Sequence, residues 1–237
     1  MMVHRGRHSK KIRHAFHINV MRVLGVLFLV VGLGMFGCIA REYSNNRNDN
    51  TALQKTFKVD SIDESQPSSA AKDTLITRLD FKELKRINAD IIGWVYIPGT
   101  HINYPILKAP DNEFYLTHNY KREKASCGSI FMNAQDDLSQ SSHWVFGHHM
   151  RDNTMFADIA HYTDKQFARS HQKAYVILDR KHGPVAYTLK FDHAQSLKGD
   201  STPPKLNKNV WALSTCGYAF GNQRIAAYFK VVDTTSK

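Results

Sequence analysis

The sequence predicts a mainly β fold, a closed or nearly closed β-barrel that follows an N-terminal helical part. Seven or eight short β-prone runs with turns between them come after residue 90, and only residues 74–87 and 155–170 have helical spacing. A domain of this size built from strands must protect its edge strands, and closure into a barrel removes them. The 237 residues have room for one such domain plus appendages.

The first forty residues predict a membrane anchor. Residues 23–40 carry no charge, and six basic but no acidic residues precede them. A cleaved signal peptide and a lipoprotein signal ending at Cys38 are the alternatives. The apolar run is longer than a usual signal core, and Met35 and Phe36 are bulky for a lipidation signal. We therefore expect a cytoplasmic basic tail over residues 1–22, a single-pass anchor, and the remaining chain outside the cell.

The net charge of +11 is concentrated in this tail. Without its six basic residues the chain has 26 basic and 21 acidic residues, a net charge of +5. A basic tail beside a membrane sets orientation and contacts anionic lipid headgroups. The charge therefore does not indicate a nucleic-acid partner.

Two further segments complete the predicted domain organisation. Residues 41–73 are polar and rich in Asn and Ser, a composition that cannot bury enough apolar surface to fold alone, so we expect a tether or a partly helical stalk. Residues 74–237 form the outer domain, which begins with a helix that caps the β core. The β-prone runs cover residues 92–97, 102–107, 129–132, 143–146, 174–178, 185–191, 211–216 and 224–229. A turn at Pro98 and Gly99 and a hairpin turn at Gly183 and Pro184 join two pairs of them.

The three cysteines exclude a disulfide framework. Cys38 lies in the predicted anchor, so at most one disulfide forms in the outer domain. We expect Cys127 to pack as a small apolar residue at the start of a strand. A disulfide between Cys127 and Cys216 would make the Cys216 thiol unavailable as a nucleophile.

Three chemically active side chains fall at the ends of predicted strands. The run 211–216 ends on Cys216, and the following run opens with Arg224. Another run leads into His148. A thiol, an imidazole and a guanidinium at strand ends are the parts of a cysteine acyl-transfer site.

The motifs around these residues resemble the sortase family, with class B as the nearest match. The likeness runs from about residue 80 to the C-terminus, and several separate motifs occur in the family's order. The motifs are Asn88-Ala89-Asp90-Ile91-Ile92-Gly93-Trp94, Tyr104-Pro105-Ile106, Asp111-Asn112-Glu113-Phe114-Tyr115-Leu116, Gly128-Ser129-Ile130-Phe131-Met132, Gly147-His148 with Met150 and Met155-Phe156, and Leu213-Ser214-Thr215-Cys216 with Arg224.

The resemblance implies an eight-stranded sortase barrel and assigns the site. Cys216 is the expected nucleophile, His148 the general acid and base, and Arg224 the group that holds the peptide or the oxyanion. We select His148 over His149 because the family's histidine directly follows the glycine and because neighbours in a strand face opposite ways. The expected substrate-binding residues, with backbone oxyanion donors near the last of them, are Asn112, Leu116, Ser214, Thr215 and Gly217.

The resemblance also implies a reaction and its partners. We expect cleavage of an LPxTG-like sorting signal outside a Gram-positive-type cell, a thioester on Cys216, and transfer to an amine. The amine is that of a peptidoglycan cross-bridge or of a pilin lysine. No cofactor is required, and a calcium effect found in another class stays open. Ala212 stands where many sortases have Thr, and the 67 residues between His148 and Cys216 suggest a shortened loop, so peptide preference does not transfer.

Other readings of these residues are less favoured. His143, His148, His149 and Cys216 are zinc-capable, but their spacing fits no common zinc pattern. Papain-like hydrolases have Cys before His, and the Ser-x-Gly-Cys-x-Arg string of another wall transpeptidase is absent. A membrane-tethered β-domain that binds wall polymer or protein without catalysis is the alternative function.

Overall fold

The computed structural model describes residues 6–59, 68–199, 202–216 and 223–236. The chain divides into two compact units, Met1–Asn45 and Asn46–Lys237. The first unit holds most of helix α1 (Gly6–Thr56), whose large apolar side chains from Met21 to Ile39 are exposed. Within the described residues, this is the one helix whose length and apolar composition suffice to cross a membrane.

The second unit is a closed barrel of eight strands, as predicted. Around the barrel the strands follow the order β1, β2, β3, β4, β7, β8, β6, β5. Pairs β2/β3 and β4/β7 are parallel and the other six are antiparallel. The strands are β1 (Ile91–Tyr96), β2 (Asn103–Leu107), β3 (Ile130–Met132), β4 (His143–His148), β5 (Lys173–Arg180), β6 (Gly183–Lys198), β7 (Val210–Cys216) and β8 (Gln223–Ser236).

Aromatic and branched side chains close the barrel. Trp94 on β1 is fully buried, and its indole N–H donates to the side chain of Asn103 at 2.7 Å. Gly93 is required beside it, because an added Cβ would lie 2.5 Å from the carbonyl oxygen of Ile177 on β5. The β-prone runs that predicted the strands therefore also supply the core.

Two helices share the periodic run before the first strand. These are α2 (Ser68–Arg78) and α3 (Phe81–Ile87). The Asp80 carboxylate accepts hydrogen bonds from the backbone N–H groups of Lys82 and Glu83 and so caps α3. This N-cap starts a new helix inside the predicted periodic run.

Part of the predicted tether packs against the barrel. Leu53, Phe57 and Val59 are buried in the core cluster, and the side-chain amide of Gln54 donates to the Asn103 carbonyl at 2.6 Å. The compact unit Asn46–Lys237 includes this segment. Leu53 lies in the last turn of α1, and Phe57 and Val59 lie just beyond the end of the helix at Thr56.

The segments between strands differ from the prediction in detail. Lys181 and His182 form the β5–β6 turn, because Gly183 already pairs with Arg180 in the ladder. Residues 155–170 contain a 3-10 helix (Ala157–Thr163) followed by α4 (Lys165–Ser170). Strands β6 and β8 run well past their predicted ends, with mostly exposed residues in the added part.

Candidate active site

Two parallel strands bring His148 and Cys216 to the same level of the barrel wall. In the ladder between β4 and β7, His148 is the Cα partner of Cys216, one step beyond the pair of Gly147 and Thr215. Both residues are the last of their strands. The parallel register thus joins two residues that are separated by 67 others in the sequence.

Strand β8 brings Arg224 to the neighbouring position. Ser214 of β7 pairs with Ala226 of β8 in an antiparallel ladder, and Arg224 lies two residues further along toward the start of β8. The Arg224 guanidinium carbon lies 5.9 Å from the centre of the Phe146 ring, two residues before His148 on β4. The guanidinium therefore reaches across β7 toward the part of β4 that carries the histidine.

Close packing at Gly147 fixes the end of β4. A Cβ at Gly147 would overlap the side chain of Ile130 and would lie 2.9 Å from the Phe156 ring. Without that Cβ, Phe156 packs against the strand, and its backbone N–H donates to the His148 carbonyl at 2.9 Å. The glycine before the histidine is therefore needed for packing.

The imidazole of His148 is held by a backbone carbonyl. Its Nε2 lies 2.7 Å from the carbonyl oxygen of Leu116, and the side chain is only partly buried. Because a carbonyl oxygen only accepts, Nε2 carries the hydrogen of this bond. In the neutral ring Nδ1 then carries the lone pair.

Leu116 ends a 3-10 helix (Phe114–Leu116) that is anchored to the barrel. The fully buried Tyr115 donates its hydroxyl to Asp90 at 2.6 Å and accepts from the Asn88 amide at 2.9 Å. Burial, followed by the hydrogen bond to Asp90, raises the pKa of Tyr115. Two residues of the motif 88–94 therefore support the segment that contacts His148.

The predicted substrate-binding residues lie near this site but are mostly engaged internally. Asn112 accepts from the Ala134 N–H at 2.7 Å and donates to the Asn133 side chain at 2.8 Å. Ser214 and Thr215 are fully buried, and Thr215 Oγ1 accepts from the Ile225 N–H at 3.1 Å. The described contacts of these three side chains are therefore to the protein itself.

The predicted oxyanion donor Gly217 lies outside the described residues. Cys127 is buried three residues before β3 and forms no disulfide with a described cysteine.

The neighbouring histidines have different environments. Burial, followed by the charge of His161, lowers the pKa of His149. His143, at the opposite end of β4, is fully buried, and desolvation lowers its pKa to about 4. Among the residues that the structure describes, no three His, Cys, Asp or Glu side chains converge in a way that suits a metal ion.

The sequence motifs include Leu116, Phe156 and Gly128, but their contacts around His148 were not predicted. The Leu116 carbonyl contacts His148, Phe156 packs behind it, and Gly128 lies against the carbonyls of Tyr115 and Leu116. Main-chain carbonyls leave no signature in a sequence. The glycine of the motif 128–132 was the available signal, since a positive φ and a close approach of backbone both select glycine.

The chain is similar to several sortase B proteins, although no protein-family model matches it. Sortase B of Listeria monocytogenes is 35% identical over 161 residues, which are 65% of this chain and 63% of that protein. The structure of Clostridium perfringens sortase B is 30% identical, with a TM-score of 0.55 over 65% of this chain and 100% of that one. Sortase B from B. anthracis is 25% identical, with a TM-score of 0.65 over 82% of this chain and 100% of that one.

The extent of these matches differs between the two kinds of comparison. The sequence alignment spans less than two thirds of the Listeria protein. The two solved structures are covered over their whole length, and one of them at 30% identity. The likeness therefore includes the complete barrel of those structures.

Proposed function

This chain belongs to the class B sortases, and on that premise we propose that it is a membrane-anchored cysteine transpeptidase. The observation that supports the proposal most is the ladder between β4 and β7, which pairs the backbone of His148 with that of Cys216. A nucleophile and its general base must lie close together, and residues paired on adjacent strands are about 4.8 Å apart at the backbone and project from the same face of the sheet.

In the proposed first half-reaction, the Cys216 thiolate attacks the carbonyl carbon of the scissile peptide bond. A carbon–sulfur bond forms and the carbonyl becomes a tetrahedral oxyanion. Arg224 and backbone N–H groups near Gly217 stabilise this negative charge. The carbon–nitrogen bond then breaks, and His148 gives a proton to the departing amine.

In the second half-reaction, an incoming amine attacks the thioester. His148 takes the proton from the amine, the carbon–sulfur bond breaks, and the thiolate of Cys216 is restored. The partly exposed imidazole suits both steps because it can exchange protons with substrate and solvent. In this proposal Asn112, Leu116, Ser214 and Thr215 shape the groove that receives the peptide.

We assign the acyl donor and the acceptor by chemical class. The donor is an LPxTG-like sorting signal of a surface protein or pilin, and the acceptor is the amine of a peptidoglycan cross-bridge or a pilin lysine. Residues 23–40 of α1 are the proposed anchor, since their exposed apolar side chains have the composition that a bilayer requires. The barrel then acts outside the cell, near the wall.

Trapping of an acyl-enzyme tests this function. The full chain, kept in detergent micelles, is incubated with a panel of sorting peptides and analysed by mass spectrometry after proteolysis. We expect an acyl adduct on the peptide that contains Cys216. The Cys216→Ala variant should lose it, and the Cys127→Ala variant, which removes a buried thiol, should keep it.

Failure of every peptide in a broad panel to acylate Cys216 would contradict the proposal. If the Cys216→Ala variant still bound the same peptides with unchanged affinity and still produced wall-linked monomers or pilin ladders in the host, a non-catalytic binding module would be favoured. The acceptor is identified by deleting the protein in its host. Loss of wall-linked monomers indicates a cross-bridge amine, and loss of high-mass pilin ladders indicates a pilin lysine.

A further inference from the structure

We propose that Gly128 is a positioning residue for the general base, and that it acts by allowing the Leu116 carbonyl to hold Nε2 of His148. This inference rests on the proposed function, since it explains how one of the assigned side chains is held. The consequence is that His148 uses Nδ1, and not Nε2, to exchange protons with Cys216 and the substrate.

A backbone carbonyl holds the imidazole ring of His148. The Leu116 carbonyl lies 2.7 Å from Nε2, a short distance for a hydrogen bond between nitrogen and oxygen. The bond needs a hydrogen on Nε2 in both the neutral and the protonated ring. It fixes the orientation of the ring and leaves only Nδ1 free to lose and regain a proton during the reaction.

Gly128 leaves the space that the Leu116 carbonyl occupies. Gly128 has a φ of +56°, in the left-handed region that glycine adopts without strain. A Cβ there would lie 2.5 Å from the Tyr115 carbonyl oxygen and 2.8 Å from that of Leu116. Both oxygens belong to backbone and cannot move away by rotation about a side-chain bond. Any larger residue at this position must therefore displace the 3-10 helix that presents Leu116.

The 3-10 helix that carries Leu116 is held in place by contacts on both sides. Its Tyr115 carbonyl accepts from the Ser129 N–H at 2.9 Å, while the buried Tyr115 side chain bonds to Asn88 and Asp90. These contacts fix the helix from both sides. Because the Leu116 carbonyl bonds to Nε2 of His148, a displacement of Leu116 caused at position 128 would also displace the imidazole ring.

The Gly128→Ala variant tests the proposal by kinetics. We expect kcat to fall about 100-fold while KM is unchanged, because a shift of about 1 Å in a catalytic group has an effect of this order. Gly99→Ala is the matched control. Gly99 also has a positive φ, +73°, but a Cβ there meets the His171 side chain at 3.0 Å instead of a backbone carbonyl. That variant has similar backbone strain and should keep its kcat.

A spectroscopic measurement tests the same contact without activity. The full chain in detergent micelles is prepared with 15N-labelled histidine rings, and His148 is assigned by comparison with the His148→Gln variant. We expect a solvent-protected hydrogen on Nε2 of His148 and none on Nδ1 in the neutral ring. The exposed His182 in the β5–β6 turn serves as the unprotected reference.

The outcomes separate this inference from the proposed function. A neutral ring with its hydrogen on Nδ1, an unprotected Nε2 hydrogen, or a folded Gly128→Ala variant with the original kcat would each overturn the inference. If Gly128→Ala does not fold, the milder Tyr115→Phe variant replaces it and should lower kcat and the protection of Nε2 together. A protected Nε2 hydrogen without any acyl adduct on Cys216 would instead disprove the transpeptidase and leave the contact intact.

Discussion

The two ends of strand β4 carry two histidines that are bonded alike but surrounded differently. His143 donates from Nε2 to the Gln140 carbonyl at 3.0 Å, and His148 donates from Nε2 to the Leu116 carbonyl at 2.7 Å. His143 is fully buried against the Trp211 ring, with ring centres 4.5 Å apart, whereas His148 keeps part of its surface exposed. Burial, and not the hydrogen bond, therefore decides which histidine can serve acid–base chemistry.

The electrostatic setting of His143 agrees with a structural role. Desolvation is the largest cause that lowers its pKa to about 4, and the positive charges of Arg180 and Lys108 act in the same direction. The bond to Gln140 acts in the opposite direction. His143 is therefore neutral near pH 7, and a group that cannot take up a proton there cannot be a general base.

The largest effect in this comparison is expected at His148. His148→Gln keeps a polar side chain but cannot transfer a proton, so the acylation rate should fall about 10²–10⁴-fold. Thermal unfolding should change little because the side chain is only partly buried. The rate is measured by single-turnover mass spectrometry of Cys216. Acylation at the original rate would remove His148 from the mechanism.

A somewhat smaller effect is expected at Arg224. Arg224→Lys keeps the positive charge but loses the planar fork of donors, and we expect the acylation rate to fall by about 10²–10³. The same rate measurement checks this. If the Arg224→Lys variant had the same acylation rate as the original chain, the positive charge at position 224 would suffice and the planar fork of donors would not be needed.

The pH dependence of stability tests the other end of β4. The folded-state pKa of His143, about 4, lies below its ordinary value of 6.5, so the unfolded chain binds the proton more readily between these pH values. This histidine's contribution to stability is therefore complete above pH 6.5 and is lost as pH falls toward 4. The loss is about 3 kcal/mol from the size of the shift.

Chemical denaturation of the original chain and of His143→Leu, at several pH values, isolates this contribution. The decline between pH 6.5 and 4 should be smaller in the variant by this amount, and the Gln140 carbonyl keeps its bond from Arg180. Burial raises the pKa of the nearby Asp136, which acts in the opposite direction in both chains and cancels in the difference. Equal declines in the two chains would be inconsistent with a neutral buried His143.

The smallest effect is expected at Thr215, one residue before the nucleophile. Thr215→Val preserves the shape but removes the oxygen that accepts from the Ile225 N–H. We expect the free energy of unfolding to fall by about 1–2 kcal/mol, the cost of a buried donor without a partner. If acylation instead stops while stability is unchanged, Thr215 acts on the substrate directly.

The sequence predicted the parts of the barrel that have apolar patterning. All eight strands lie where β-branched and aromatic runs occur, because those side chains fill the core. The ends of β6 and β8 were missed because their residues are exposed and polar and pair only through backbone. The docked segment near Leu53 and Phe57 was missed because two apolar residues in a polar stretch do not distinguish packing from a tether.

For the site, the sequence supplied side chains but not their neighbours. Cys216, His148 and Arg224 were predicted from their positions at the ends of strands and from family motifs. The parallel register between β4 and β7 joins strands that have two others, β5 and β6, between them in the sequence, so spacing could not define it. The Leu116 carbonyl was inaccessible to sequence reasoning because every residue has one.

A disulfide trap measures most directly whether the ends of β4 and β7 lie side by side, as the proposed chemistry requires. In a chain with Cys38→Ala and Cys127→Ala, the change His148→Cys places a second thiol opposite Cys216, and partners on adjacent strands are within disulfide range. We predict that mild oxidation joins positions 148 and 216, as seen by mass spectrometry and blocked alkylation. His149→Cys, whose side chain faces the other way, should stay reduced. Two free thiols in the His148→Cys chain under the same oxidation would contradict the pairing on which the proposed chemistry depends.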